Sequence, residues 1–324
     1  MPDPADIGRI RRDPELLERY RLPQEPDRGL EPELWRLWDE MLSGGKLRFV
    51  RADTVEAHRA VENGPPLPRA TRLQSSRNWS GAVLAPNHGQ RIVMAGGRWE
   101  VPREVKAGAL TRDSKQRGWL ASVWVGIDGQ RRWSPSMPQI GTKHPVDRHG
   151  TPMPPFAWWQ WWLRDHWSNY QEIRGIPVQP GDRMLAMLTL LSPYKVRFHL
   201  RNATQGPMTS FDVTAAKLRQ DGEWVRLPAL GSSAEWVVER PGDAESCRPL
   251  DLFELPDYGS VVFTRCAARA AKRPGDPVRR RELAAPRLIR MVALRDDDPR
   301  SRLVSVPRMD GEEAASVRVS FRRP

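Results

Sequence analysis

The chain has 324 residues and a mass of 37.0 kDa, which suits one large β domain with an appendage or two ordinary domains. It is 39% hydrophobic and 28% charged, enough for a core, so wholesale disorder is excluded. The formal net charge is +12, and it is uneven: residues 1–70 carry 12 Lys+Arg against 14 Asp+Glu, and the remainder carries 40 against 26.

The N-terminus, MPDPADIGRIRRDPE, holds no apolar segment of the kind a secretory signal needs, which gives the expectation of a cytoplasmic protein. Residues 1–71 read as helical. Pro32 opens a helix over residues 31–42, with Leu34, Trp38, Met41 and Leu42 at helical spacing and Gly44–Gly45 ending it. Residues 54–62 are predicted as a second short helix, and the prolines of residues 63–68 mark a boundary.

From about Leu73 the pattern turns to period two. Residues 91–101, 121–128, 156–163, 195–202, 234–239, 259–266, 288–294 and 316–321 each read as strands. Turns are expected at Gly96–Gly97, Asp128–Gly129, Pro180–Gly181–Asp182 and Asp221–Gly222. No long helices alternate with these strands. The fold class is therefore all-β, an antiparallel sandwich or barrel. The longest near-apolar run, residues 184–191, is too short to cross a bilayer, so no membrane span is expected.

There is no phosphate-binding glycine loop and no Gly-x-Ser-x-Gly elbow. The six histidines lack metal-ligand spacing, and Cys247 and Cys266 cannot make a multi-cysteine site, so neither metal nor cofactor is expected. The basic body reads as a solvated arginine-rich surface, because the run at residues 269–281 has no interleaved aromatics; no specific nucleic-acid partner is expected.

Side-chain alternation then selects a face. In residues 121–128, Ala121, Val123, Val125 and Ile127 point one way, and Ser122, Trp124, Gly126 and Asp128 the other. In residues 156–163, Phe156, Trp158, Gln160 and Trp162 share a face, as do Glu235, Val237 and Glu239 further on. In one sheet, Trp124, Asp128, Trp158, Gln160 and Glu235 would line a concave surface suited to an extended polymer. The alternative is a second core that buries the tryptophans.

A series of segments resembles the glutamic peptidases, or eqolisins. They are Asn78-Trp79-Ser80-Gly81-Ala82, GRWEVP at 97–102, SVWVGIDG at 122–129, Pro138-Gln139-Ile140-Gly141, AWWQWW at 157–162, AEWVVE at 234–239 and LPDYGSVVFTRC at 255–266. They occur in the family's order over about residues 75–324. The resemblance implies a sandwich of two curved antiparallel sheets in a domain over residues 72–324. It implies an endopeptidase with a polypeptide substrate, in which Glu235 and Gln139 act on a water without metal or cofactor and acidic pH is favoured. Trp124, Trp158 and Gln160 would form the substrate cleft, and Asp128 would orient or tune the pair. Gln160 stands where the family usually has Glu, and Ile140 where it has Thr. The resemblance also suggests that Cys247 and Cys266 lie close enough to bridge on oxidation, although a reducing compartment would keep them as thiols.

Two further function classes remain: a non-catalytic, tryptophan-rich binding module, lectin-like or peptide-binding, and a glycosidase. A glycosidase needs two facing carboxyl groups, and the partners facing Glu235 are amides. Residues 1–71, acidic against a basic body, are expected to dock on the sandwich as a prosegment or docking extension. They would cover the cleft near Trp124 and Trp158–Trp162, or pack on the convex back. The assembly expected is a monomer.

Overall fold

A computed structural model describes residues 1–56, 60–61, 73–110, 114–131, 133–166, 168–243, 252–272, 286–295, 298–310 and 315–323. The molecule is a β-sandwich made by doubling one continuous mixed sheet over on itself. The first layer runs, in hydrogen-bonded order, through Gln171–Ile173, Phe156–Leu163, Ser136–Val146, Ser114–Ile127, Ala234–Glu239 and Trp79–Leu84. Arg287–Arg295, Asp298–Met309 and Val317–Phe321 carry the ribbon around the edge. The second layer continues through Ser260–Ala271, Arg91–Glu100, Arg183–Ser192, Lys195–Asn202 and Pro207–Thr214. Most pairings are antiparallel; three peripheral ones are parallel.

The expected alternation sorts the first layer. Ala121, Val123, Val125, Ile127, Ile140, Ala157, Trp161, Ala234, Trp236 and Val238 enter the core between the layers, where they meet Met184, Ala186, Leu188, Phe198, Leu200 and Phe263. This sets the register, because a slip of one residue would turn these side chains away from the core. Gly96 and Gly97, read from sequence as a turn, lie inside the Arg91–Glu100 strand. Close packing on both faces requires them there. A β-carbon on Gly97 would come 2.6 Å from Trp236 Nε1, and one on Gly96 would come 2.5 Å from Leu37 Cδ2.

The helix predicted over residues 31–42 is present as Pro32–Met41. A shorter helix, Pro14–Arg19, precedes it, capped by the Asp13 carboxylate. Leu34, Leu37, Trp38 and Met41 pack with Met94, Leu185, Met187 and Met208 on the outer face of the second layer. Arg201 donates to the carbonyls of Glu40, Met41 and Ser43 and so satisfies the end of the helix. Carboxylates of the segment meet arginines of the sheet: Glu18 with Arg197, Glu31 with Arg269, Glu33 with Arg265 and Glu40 with Arg98. The helices therefore dock on the back of the sandwich.

The short helix expected at residues 54–62 is not formed. Thr54–Glu56 adds to Gln171–Ile173, and Ala60–Val61 pairs with Gly242–Asp243. Thr54 and Val55 carry the β-branched side chains that suit such pairing. Cys266 is buried and is a free thiol; Cys247, the boundary at residues 63–68 and most of the basic run at 269–281 lie outside the described residues.

Candidate active site

On its other face the first layer carries a transverse row, one residue per strand: Val83, Glu235, Gly126, Gln139 and Gln160. Neighbouring strands lie about 4.8 Å apart, so Glu235 and Gln139 are rooted about 10 Å from each other. Gly126 between them has no side chain, which leaves a gap in the row. The edge of the Trp124 ring leans over this gap, since a β-carbon on Gly126 would come 2.8 Å from its Cζ3. Gln139, which lies outside the strands read from sequence, is held inside the strand Ser136–Val146.

The next row is Gly81, Val237, Trp124, Gly141 and Trp158. Gly141 has no room for a β-carbon, which would meet the Val123 carbonyl oxygen at 2.0 Å, and its lack of a side chain lets Trp124 pass. Trp79 meets Trp124 edge-on at 4.9 Å. The third row joins Glu239, Ser122 and Lys143. Lys143 donates to Ser122 Oγ at 3.0 Å and sits 4.4 Å from the ring centres of both Trp158 and Tyr170.

The concave surface expected to be open is covered. Gln139, Glu235, Trp124, Trp158 and Gln160 are each 0% exposed. Trp79, Trp124, Trp158, Trp162, Tyr170, Val237 and Ile289 form a second apolar cluster over this face, so the tryptophans are a core as well as a lining.

Electrostatics single out two buried acids: Asp128, whose pKa burial raises against its hydrogen bonds from residues 230–232, and Glu235. Burial pushes the Glu235 carboxyl well above the usual carboxylate range; Ser233 opposes this and the negative charge of Asp128 adds to it. Both Glu235 oxygens and Ser233 Oγ lack hydrogen-bond partners among the described residues, so the serine acts at a distance and leaves the carboxyl unsatisfied. A buried carboxyl with a raised pKa is a characteristic of acid–base groups.

Of the expected site residues, Glu235, Gln139 and Gln160 share the first row and Trp124 and Trp158 the next, whereas Asp128 joins neither. The strand ends at Ile127, and Asp128 turns into the left-handed region at φ 76°. Its carboxylate accepts from the N–H groups of Leu230, Gly231 and Ser232 and from Ser232 Oγ, at 2.6–2.9 Å. It anchors the loop that leads into the Glu235 strand. Gly126, Lys143, Glu239 and Ser168 were not singled out as site residues. Gly126 was visible as a strand-interior glycine on the site face; Ser168 accepts from Gln160 Nε2 through its carbonyl at 2.6 Å, a contact that no sequence pattern marks.

Among the described residues no three His, Cys, Asp or Glu side chains converge as a metal site would require. No described helix is long and apolar enough to cross a membrane. A cavity of about 220 Å³ beneath the Pro32–Met41 helix, lined by Leu34, Trp236 and Cys266 among others, opens on the opposite face of the layer from the row.

A doubled β-sheet with a buried carboxyl and amide facing each other across a glycine defines the class. The sequence model of the Peptidase A4 family matches residues 77–284, more than half of the chain, and the chain belongs to that family. Its fold is similar to that of scytalido-glutamic peptidase, solved with a transition state analog inhibitor. That match has 19% identity, covers 76% of this chain and 98% of that one, and has a TM-score of 0.52. SCP-B, described as a member of the eqolisin family and solved with the tripeptide Ala-Ile-His, matches at 17% identity over 76% and 98% of the two chains, with a TM-score of 0.50. No curated protein sequence matches the chain significantly.

Proposed function

We propose that the protein is a glutamic endopeptidase whose reacting groups are Glu235 and Gln139. The observation that carries this reading is their placement in one row across Gly126, with the Glu235 oxygens and Gln139 Oε1 buried and without hydrogen-bond partners among the described residues. A peptide carbonyl and a water in that gap would complete the hydrogen bonding. Ionised Glu235 takes a proton from water as the water oxygen adds to the carbonyl carbon. A Gln139 N–H stabilises the developing oxyanion, while its Oε1 orients the water. Glu235 then gives its proton to the leaving nitrogen as the C–N bond breaks, and the acid and amine products depart. Trp124 and Trp158 would hold the substrate chain, and Asp128 would fix the loop before Glu235.

Glu235 must ionise to act as a base, and burial, which raises its pKa, moves this step to higher pH than an ordinary carboxyl would need. Acidic pH is the expected working condition. Residues 1–71 act in this reading as a docked extension. Thr54–Glu56 borders the site layer beyond Gln171–Ile173, and Ala60–Val61 lies on its other flank.

The test is cleavage of a denatured protein by the purified chain across an acidic-to-neutral pH series, compared with Glu235→Gln and Gln139→Ala. Activity lost in both variants supports the reading; an active Glu235→Gln enzyme removes it. Burial of the whole row favours a second reading, a non-catalytic peptide-binding module. Peptide binding without cleavage at any pH would establish that instead.

A further inference from the structure

Gln160 adjoins Gln139 in the row, and its two amide atoms face different partners. One lies 2.6 Å from the carbonyl oxygen of Ser168 and the other 3.1 Å from the Gln139 amide. A carbonyl oxygen can only accept, so the atom facing it must be Gln160 Nε2. Gln160 Oε1 is then the atom turned to Gln139, and it can only accept from Gln139 Nε2. Gln139 Oε1 is consequently the atom turned away from Gln160, and it is buried with no hydrogen-bond partner among the described residues. Chemistry thus dictates both amide orientations, independently of any choice between look-alike atoms. Ser168 is itself tied to the strand, since its Oγ accepts from Leu163 N–H at 3.3 Å and lies 3.4 Å from Gln160 Nε2.

We infer that Gln160 is a positioning residue that, through Ser168 and Gln139, holds the reacting amide in one orientation without an ionisable group. This rests on the proposed role of Gln139. A carboxyl group at position 160 could copy the arrangement only when protonated, because the oxygen facing Ser168 must carry a hydrogen. Once ionised, it would set two acceptors against each other at 2.6 Å. Burial would raise the pKa of that carboxyl as well. With glutamine, the orientation of Gln139 does not change between acidic and neutral pH, and the pH dependence of the reaction is left to Glu235.

The experiment uses the full chain with two substitutions, Gln160→Glu and Gln160→Leu. Steady-state rates on a peptide substrate are measured from acidic to neutral pH, and the side-chain amide signal of Gln139 is followed by nitrogen-15 NMR, assigned by its loss in Gln139→Glu. In the unaltered protein the signal stays constant over the carboxylate range. Gln160→Glu matches it in acid. Above the raised carboxyl pKa its signal shifts and kcat falls by about tenfold per pH unit relative to the parent, with KM little changed. Gln160→Leu lowers kcat at every pH without altering the profile. Gln160→Glu tracking the parent at all pH, in rate and in signal, would overturn the inference; so would an unchanged kcat and signal in Gln160→Leu. If the parent cleaves no peptide at any pH, the peptidase reading falls, and the positioning role is decided by the Gln139 signal alone.

Discussion

The indole N–H of Trp124 donates to the carboxylate of Glu239 at 2.8 Å, and Asn78 donates to its other oxygen at 3.2 Å. Glu235 lies four residues earlier on the same strand and the same face, equally buried, with no such donors among the described residues. One carboxylate is thus fixed in the structure, while the other is left reactive. The same tryptophan makes both arrangements, because satisfying Glu239 draws its ring over Gly126 and shapes the gap beside Glu235.

Replacing Glu235 by glutamine should separate function from stability. The folded-state pKa of Glu235 lies above its unfolded value, so the native state binds the extra proton between the two. Stability from this site is therefore full below the unfolded pKa and declines as pH rises through the folded one. Glu235→Gln removes that decline. Turnover should fall by orders of magnitude, while the melting temperature equals the parent's in acid and exceeds it at neutral pH. Thermal melting across pH measures this, and a lower melting temperature at neutral pH would refute the protonated, buried assignment.

Gly126→Ala should damage the gap more than the fold. The added β-carbon would press on the Trp124 ring at 2.8 Å and on the Pro138 carbonyl oxygen at 3.2 Å, so the ring must move. Overpacking of this kind costs about 1–3 kcal/mol, and displacing a reacting group by about an ångström costs about a hundredfold in rate. Kinetics combined with chemical denaturation separate the two effects. A variant with parental kcat would show that the gap over Gly126 is not where the peptide bond lies.

Much of the site layer was legible in the sequence because alternation is a local property. Phe156–Leu163 and Ala234–Glu239, and Lys195–Asn202 in the second layer, have the bounds read from sequence, and the site-facing residues of the first two are those that the period of two selects. Ser136–Val146 was not read as a strand, because Pro138, Gly141 and Pro145 interrupt its pattern. Its place is fixed by the strands on either side, which sequence proximity does not report. Gly96–Gly97 misled for a similar reason: the signal of a turn and that of close packing on two faces are the same pair of residues. The burial of the row was also hidden, since period two identifies a face without saying what lies over it.

The N-terminal helices should stabilise the fold from behind. Trp38 is 1% exposed, donates to the Pro23 carbonyl at 2.7 Å and lies under the Arg11 guanidinium. Trp38→Ala should cost about 3–5 kcal/mol, as large aromatic truncations in cores do. The helix contacts the second layer and not the row, so the rate per folded molecule should be unchanged. A marked rise in rate would instead mean that loosening the helix also uncovers the site, through Thr54–Glu56 and Ala60–Val61 further along the segment.

Acid should weaken the protein through its buried histidines. His199 is fully buried on the outer face of the second layer, with Nδ1 at 2.8 Å from Ser210 Oγ and Nε2 unpartnered among the described residues. Burial, reinforced by the Arg197 charge and opposed by Asp212, lowers its pKa from 6.5 to about 3. His144, buried beside Lys143, is likewise lowered to about 3 by burial first and the lysine second. The unfolded chain binds these protons near pH 6.5 and the folded one does not, so stability falls progressively from there toward about pH 3. Each group contributes on the order of a few kcal/mol over that interval. Asp212 and Glu18, whose carboxyls Arg197 holds low by hydrogen bonding (against burial for both), lose their contribution in the same direction as they protonate. His199→Gln keeps a hydrogen-bonding side chain for Ser210 and never charges. It should melt at or slightly below the parent temperature at neutral pH and above it in acid, with the curves crossing below the ordinary histidine pKa. Parallel melting curves for the two proteins across the acidic range would show that His199 takes up its proton in the folded state and imposes no lower limit on the pH at which the enzyme survives.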